Sequence, residues 1–175
     1  MTKLVAAVAS ACLASTVLSG CTLVTGEQQP LPSVDVVEFG TGEPSSSEPV
    51  DVAGLRGPMV INFWATTCTT CREEMPVLEA FHQQHGDEVA VVGIDFQETQ
   101  PDAAVQLVTD TGVTYRLLAD PLGDLNGADP LPNFQGLPLQ VFVDDDGEVA
   151  YMAYQAFDSV EEIEEMVGEH LGVDL

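Results

Sequence analysis

Short apolar runs alternate with amphipathic stretches along this chain, and their order predicts its elements. Met59-Val60-Ile61-Asn62-Phe63-Trp64 is a continuous apolar run rich in β formers, the pattern of a buried strand. From Cys71 to His85, the residues Met75, Leu78, Ala80, Phe81 and His85 recur at roughly helical spacing. Gly86 stops that helix, and Pro76 inside it predicts a kink. Residues 89–96 form a second apolar strand, and Pro101 opens a helix carrying Ala104, Val105, Leu107 and Val108 that ends at Gly112. Residues 115–118 read as a short strand closed by Asp120-Pro121, and residues 122–136, rich in Gly, Pro and Asn, as loop and turn. Leu139–Val143 and residues 148–154 flank Asp145-Asp146-Gly147 as a hairpin. Ser159, with Glu162 three residues on, is a capping box for a final helix reaching His170. Upstream, residues 34–39 are a short β-like run, followed by the flexible stretch GTGEPSSSEP. Strand, helix, strand, helix, hairpin and helix together define an α/β domain whose sheet has a parallel and an antiparallel part.

The first 33 residues follow a different logic. Met1-Thr2-Lys3 is a short positive start, and residues 4–18 are apolar and uncharged, the pattern of a signal peptide over residues 1–20. That run falls short of the roughly 20 residues a permanent membrane helix needs. It leads into Leu18-Ser19-Gly20-Cys21, which resembles the lipobox of bacterial lipoproteins. The resemblance implies cleavage before Cys21, a diacylglycerol chain on its sulfur, and a domain tethered to the outer face of the cell membrane. Residues 21–33 then read as the lipidated cysteine and a polar, proline-bearing tether, leaving 34–175 as the domain.

Charge narrows the partners. With 29 acidic residues against 4 basic ones, the net charge is −25. Nucleic acid is excluded, because phosphate binding needs clustered Lys and Arg. Adhesion to anionic headgroups is excluded on the same ground. The acidity reads as a solvated surface rather than as a functional patch.

Four cysteines reduce to two that bear on chemistry. Cys12 leaves with the signal peptide and Cys21 carries lipid, so Cys68 and Cys71 remain, as a single C-x-x-C. At the junction of a buried strand and a helix, the two fall one turn apart on one face, their Cα atoms about 5.5 Å apart and within disulfide range. The first sulfur lies over free N–H groups at the positive end of the helix dipole, which stabilises its thiolate. Cys68 is therefore the expected nucleophile and Cys71 the resolving thiol. A zinc site needs two further soft ligands; His82 and His85 lie a helix length away and read as surface or packing residues. Two inert core cysteines would make the spacing a coincidence. Redox chemistry ranks above metal binding, and metal binding above inert packing.

The segment VINFWATTCTTCREEMPVLEAF resembles the active-site segment of TlpA/ResA-like thiol-disulfide oxidoreductases of the thioredoxin superfamily. The likeness continues through DPLG and GLPLQVFVDDDGEV and covers roughly residues 50–171. It implies a thioredoxin-like fold, a central mixed sheet flanked by helices, with no cofactor beyond the dithiol. It also implies protein thiols and disulfides as substrates, and a membrane electron donor. The function implied is reduction of disulfides in exported proteins, apocytochrome c among them, with a thiol oxidase of the same fold as alternative. Residue by residue, Pro138 matches the family's cis-proline beside the disulfide, whose neighbouring backbone pairs with a substrate chain. Glu98 corresponds to an acid that influences proton transfer at the cysteines, and Asp95 is the alternative for that role. Thr67 stands where the family commonly has tryptophan, and Leu139 where threonine follows the proline; both changes bear on substrate preference.

Three other readings fit less well. A copper-handling SCO-like lipoprotein shares fold and anchor but uses C-x-x-x-C with a distant histidine. A peroxiredoxin needs a proline upstream of its cysteine that is absent before Ala65-Thr66-Thr67-Cys68. The DDDGE stretch lacks the alternation of a calcium loop and reads as a β-turn.

Overall fold

The computed structural model describes residues 28–40 and 49–175. The signal peptide and Cys21 expected from the sequence lie outside the described residues. The described chain forms eight strands: β1 (Gln29–Pro30), β2 (Asp35–Glu38), β3 (Val50–Asp51), β4 (Met59–Trp64), β5 (Ala90–Phe96), β6 (Arg116–Asp120), β7 (Leu139–Val143) and β8 (Glu148–Ala153). With them come helices α1 (Thr69–His85), α2 (Pro101–Thr111) and α3 (Val160–Leu171), and a 3-10 turn at Val52–Gly54.

One sheet takes the strands in the order β1-β8-β7-β4-β5-β6-β2-β3. β4, β5 and β6 are parallel, while β7 joins β4 antiparallel and β8 and β1 continue outward from it. Alternation along the central strands sorts the core. Met59, Ile61 and Phe63 of β4 gather with Val92, Ile94 and Phe96 of β5 and Leu139, Val141 and Val143 of β7. Their intervening neighbours Val60, Val91 and Phe142 meet Leu78 and Phe81 of α1 and Ile163 and Val167 of α3. The side away from these helices is closed by Leu31, Val52 and Leu55 and, from the loop before β7, by Leu125, Leu131 and the half-buried Phe134.

The local signals account for most boundaries. α1 runs unbroken through Pro76, which is exposed, as is Arg72, whose carbonyl the proline ring deprives of a donor. Cys71, Met75, Leu78 and Phe81 form its buried stripe. His85 reaches Glu164 of α3 at 2.7 Å and ties the two helices together. In the β7–β8 turn, Asp144 Oδ1 accepts the N–H groups of Asp146 and Glu148, and Gly147 takes φ +85°. Ser159 Oγ accepts from Glu162 N–H at the start of α3. Glu162, however, accepts from Asp158 rather than from Ser159, so the capping box closes one residue early.

One expectation needs correcting. The tether over 21–33 ends sooner than its composition implies, because Gln29 and Pro30 pair with β8 and Leu31 is buried. The proline-bearing stretch forms an edge strand, where a missing N–H costs no ladder bond.

Candidate active site

β4 ends at Trp64, and the chain turns through residues 65–67 to place Cys68 at the N-cap of α1. Cys68 and Cys71 are joined as a disulfide with their Cα atoms 5.3 Å apart. Cys68 Sγ accepts the N–H of Cys71 at 3.1 Å and lies 3.4 Å from the Thr70 hydroxyl. These donors remain for the thiolate once the disulfide opens. Cys68 is half-buried, whereas Cys71 is fully buried beside Trp64, Met75 and Ala104. The accessible sulfur is thus the first of the pair.

Pro138 opens β7 across from this turn, and the Leu137–Pro138 bond is cis. The strap leading to it, residues 135–137, separates two open grooves. One, of about 480 Å³, runs past Thr70, Tyr154, Gln155 and Ala156. The other, of about 410 Å³, runs past Thr67, Phe96, Glu98 and Phe134. Cys68 lies in the chain between Thr67, which lines one groove, and Thr70, which lines the other.

Three acids approach the site in different ways. Glu98 folds back onto the turn before the cysteines: Oε2 accepts the N–H of Thr66 at 2.8 Å and its hydroxyl at 2.6 Å, and Oε1 accepts Gln100 N–H at 2.6 Å. Burial pushes its pKa up, but the bonds from Thr66 and Gln100 together outweigh it and hold the carboxyl below its ordinary range. Glu98 thus holds the turn before the cysteines as a hydrogen-bond acceptor. Asp95, on β5 in register with Trp64, is buried with Oδ1 unpartnered. Burial, reinforced by the charge of Glu98, raises it to about 7.

The third acid, Glu74, escaped the sequence reading. It stands three residues after Cys71 on α1 and is only 1% exposed. Its Oε1 accepts Asn62 Nδ2 at 2.7 Å, and Oε2 accepts Gln140 Nε2 at 3.0 Å and Phe157 N–H at 3.1 Å. Burial raises its pKa to about 7 against these hydrogen bonds, which pull it down. Two signals could have found it. Positions 71, 74, 75, 78 and 81 form one helical stripe, and Asn62 and Gln140 are polar residues inside otherwise apolar strand runs. Among the described residues, no group of three His, Cys, Asp or Glu side chains is placed to hold a metal ion.

A mixed sheet whose central parallel strand delivers a C-x-x-C to a helix N-terminus, facing a cis-proline, defines the thioredoxin-like class of redox proteins. The chain belongs to the Redoxin family, whose model matches residues 28–167. It is 32% identical over 109 residues to the thioredoxin-like protein YneN of Bacillus subtilis, a match covering 62% of this chain and 61% of that protein. It is 35% identical over 111 residues to the thiol:disulfide interchange protein HelX of Rhodobacter capsulatus, covering 61% and 59%. The matches thus span about three fifths of the length of these relatives. Among solved structures, the fold is similar to that of a DsbF homologue from Corynebacterium diphtheriae, with TM-score 0.64 and 22% identity over 83% of this chain and 88% of that one.

Proposed function

We propose that this protein is a thiol-disulfide oxidoreductase that reduces disulfides in exported polypeptides. The observation that carries the reading is the Cys68–Cys71 pair, one sulfur accessible at a helix N-terminus and the other buried within one helical turn of a buried acid. In the reduced protein the Cys68 thiolate attacks one sulfur of a substrate disulfide. The Cys68–substrate bond forms, the substrate S–S bond breaks, and the leaving thiolate takes a proton. Cys71 then loses its proton and attacks Cys68 Sγ. The Cys68–Cys71 bond forms, the mixed disulfide breaks, and the second substrate thiol leaves. Two electrons have passed from protein to substrate, and a dithiol donor at the membrane restores them.

The second step needs a base in a place closed to water, and Glu74, with a pKa of about 7, suits it. HelX bears the name of a thiol:disulfide interchange protein, which supports the same reaction here. Cys21 carries the lipid that anchors the domain on the outer side of the cell membrane, and disulfides of apocytochrome c are among its substrates. Mass spectrometry of the membrane-extracted protein checks the anchor: a diacylglycerol adduct on an N-terminal Cys21 is expected, and an intact residue 1 would remove it.

The test of the activity is the equilibrium potential of the Cys68/Cys71 couple, measured by alkylation across redox buffers. A value near or below about −230 mV supports a reductase, and one near about −120 mV makes the protein an oxidant. Failure to form the disulfide at all overturns the reading. A Cys71→Ser variant is expected to accumulate the mixed disulfide through Cys68.

A further inference from the structure

The two grooves beside the disulfide differ in charge. Glu98 is the single charged side chain on the Thr67 side, where it stands with Gln97, Thr99 and the rings of Phe96 and Phe134. The Thr70 side carries none; Tyr154, Leu137 and Ala156 give it an apolar wall. Both share the strap at Gln135, Gly136 and Leu137. A polypeptide whose cysteine reaches Cys68 is therefore straddled, with one groove for each flank.

Glu98 is held as a carboxylate by its Thr66 and Gln100 donors. With the Thr99 N–H also turned toward it, the carboxylate offers a cation its charge rather than a vacant lone pair. The carboxylate is half-buried against aromatic rings, so a charge partner there is screened less than on an open surface.

Resting on the thiol-disulfide reading above, we infer that the Glu98 groove selects a lysine or arginine next to the reacting cysteine of the substrate, while the Tyr154 groove takes an apolar or aromatic residue on the other flank. The net charge of −25 attracts any basic polypeptide, wherever its charge lies. A contact with Glu98 adds a demand for position, and position separates the two effects.

The experiment uses synthetic disulfide peptides that differ at one residue, Lys or Glu, placed immediately before or immediately after the reacting cysteine. Exchange with the reduced protein is followed by quenched alkylation. On one flank the Lys peptide is expected to react about tenfold faster than the Glu peptide, a difference of about 1.4 kcal/mol; on the other flank the ratio falls to about twofold or less. Glu98→Gln brings the two flanks to the same ratio. Thr67→Lys, which places a cation in the same groove, reverses the preference on the sensitive flank. Equal ratios on both flanks of the wild-type protein, or a flank preference that survives Glu98→Gln, overturn the inference in favour of whole-molecule attraction. No exchange with any peptide overturns the thiol-disulfide reading as well.

Discussion

Glu74 sits where water does not reach, and its three donors do not fully offset the cost of burying a charge. Asp95 shares that predicament, with one oxygen unpartnered. Both are raised to about 7 in the folded protein, above their ordinary carboxyl values, so the folded state binds more protons than the unfolded chain between those limits. Their contribution is fully present in acid and is lost as pH rises through 7, on the order of 3 kcal/mol for each group. Glu74→Gln removes that loss. The new side-chain NH₂ faces Asn62, whose amide must turn over to accept from it and so gives up its 3.2 Å bond to Gln140 Oε1. The variant is expected to melt below the wild type near pH 5 and to gain on it by about 5–10 °C between pH 5 and pH 8, by calorimetry. In single turnover it should release the second substrate thiol on the order of a hundredfold more slowly, because Cys71 has lost its base; an unchanged rate removes Glu74 from the proposed mechanism. The cysteines were legible in the sequence because their spacing is their chemistry. Glu74 was hidden because an acid beside Arg72 and Glu73 on a very acidic chain looks solvated until the fold turns its face inward.

The loop between β6 and β7 illustrates what periodicity does not carry. Composition marks residues 122–136 as loop, and they are, yet nothing in composition says what holds them. Asp120, buried at the end of β6, accepts the N–H groups of Gly123, Asp124 and Leu125. Further along, Asn126 Oδ1 accepts Phe134 N–H, and Gly127 N–H donates to Pro132. The strap that bounds both grooves therefore hangs from a carboxylate knot. Asp120→Ala strands those donors and should cost about 2–4 kcal/mol in urea unfolding. Asp120→Asn, which keeps one acceptor oxygen, should cost less. If Ala and Asn are equally mild, the loop is held by its apolar anchors Leu125 and Leu131 instead. β4 and β7, by contrast, could be read to the residue, since apolar runs of five or six with turn signals at both ends leave little choice of boundary. β1 was missed because two residues carry no period.

For the molecule as a whole, the order of elements was predictable and the covering of the sheet was not. The β-α-β-α order demands parallel central strands, but the sequence does not say that the side away from the helices is closed by the N-terminal segment and a loop. Charge acts at this scale too. Two of the described arginines are occupied, Arg116 by Glu38 and Arg56 by the carbonyls of Ala53 and Leu55, which leaves the acidic surface almost unrelieved. Self-repulsion of that kind is screened within about 10 Å at about 0.1 M salt. The melting temperature of the domain should therefore rise steadily as sodium chloride goes from about 0.02 M to about 1 M, with most of the gain below about 0.5 M. A flat profile would mean that carboxyl crowding does not limit stability.

The short strand β1 also orients the molecule. Gln29 is level with Val149, Val149 with Val143, and Val143 with Met59, the first residue of β4. The disulfide follows Trp64 at the other end of that strand, about 17 Å away at the usual rise per residue. Gln29 thus marks the rear of the domain, and the reactive sulfur lies at its front, so whatever docks on the disulfide meets the face opposite the one where the described chain begins.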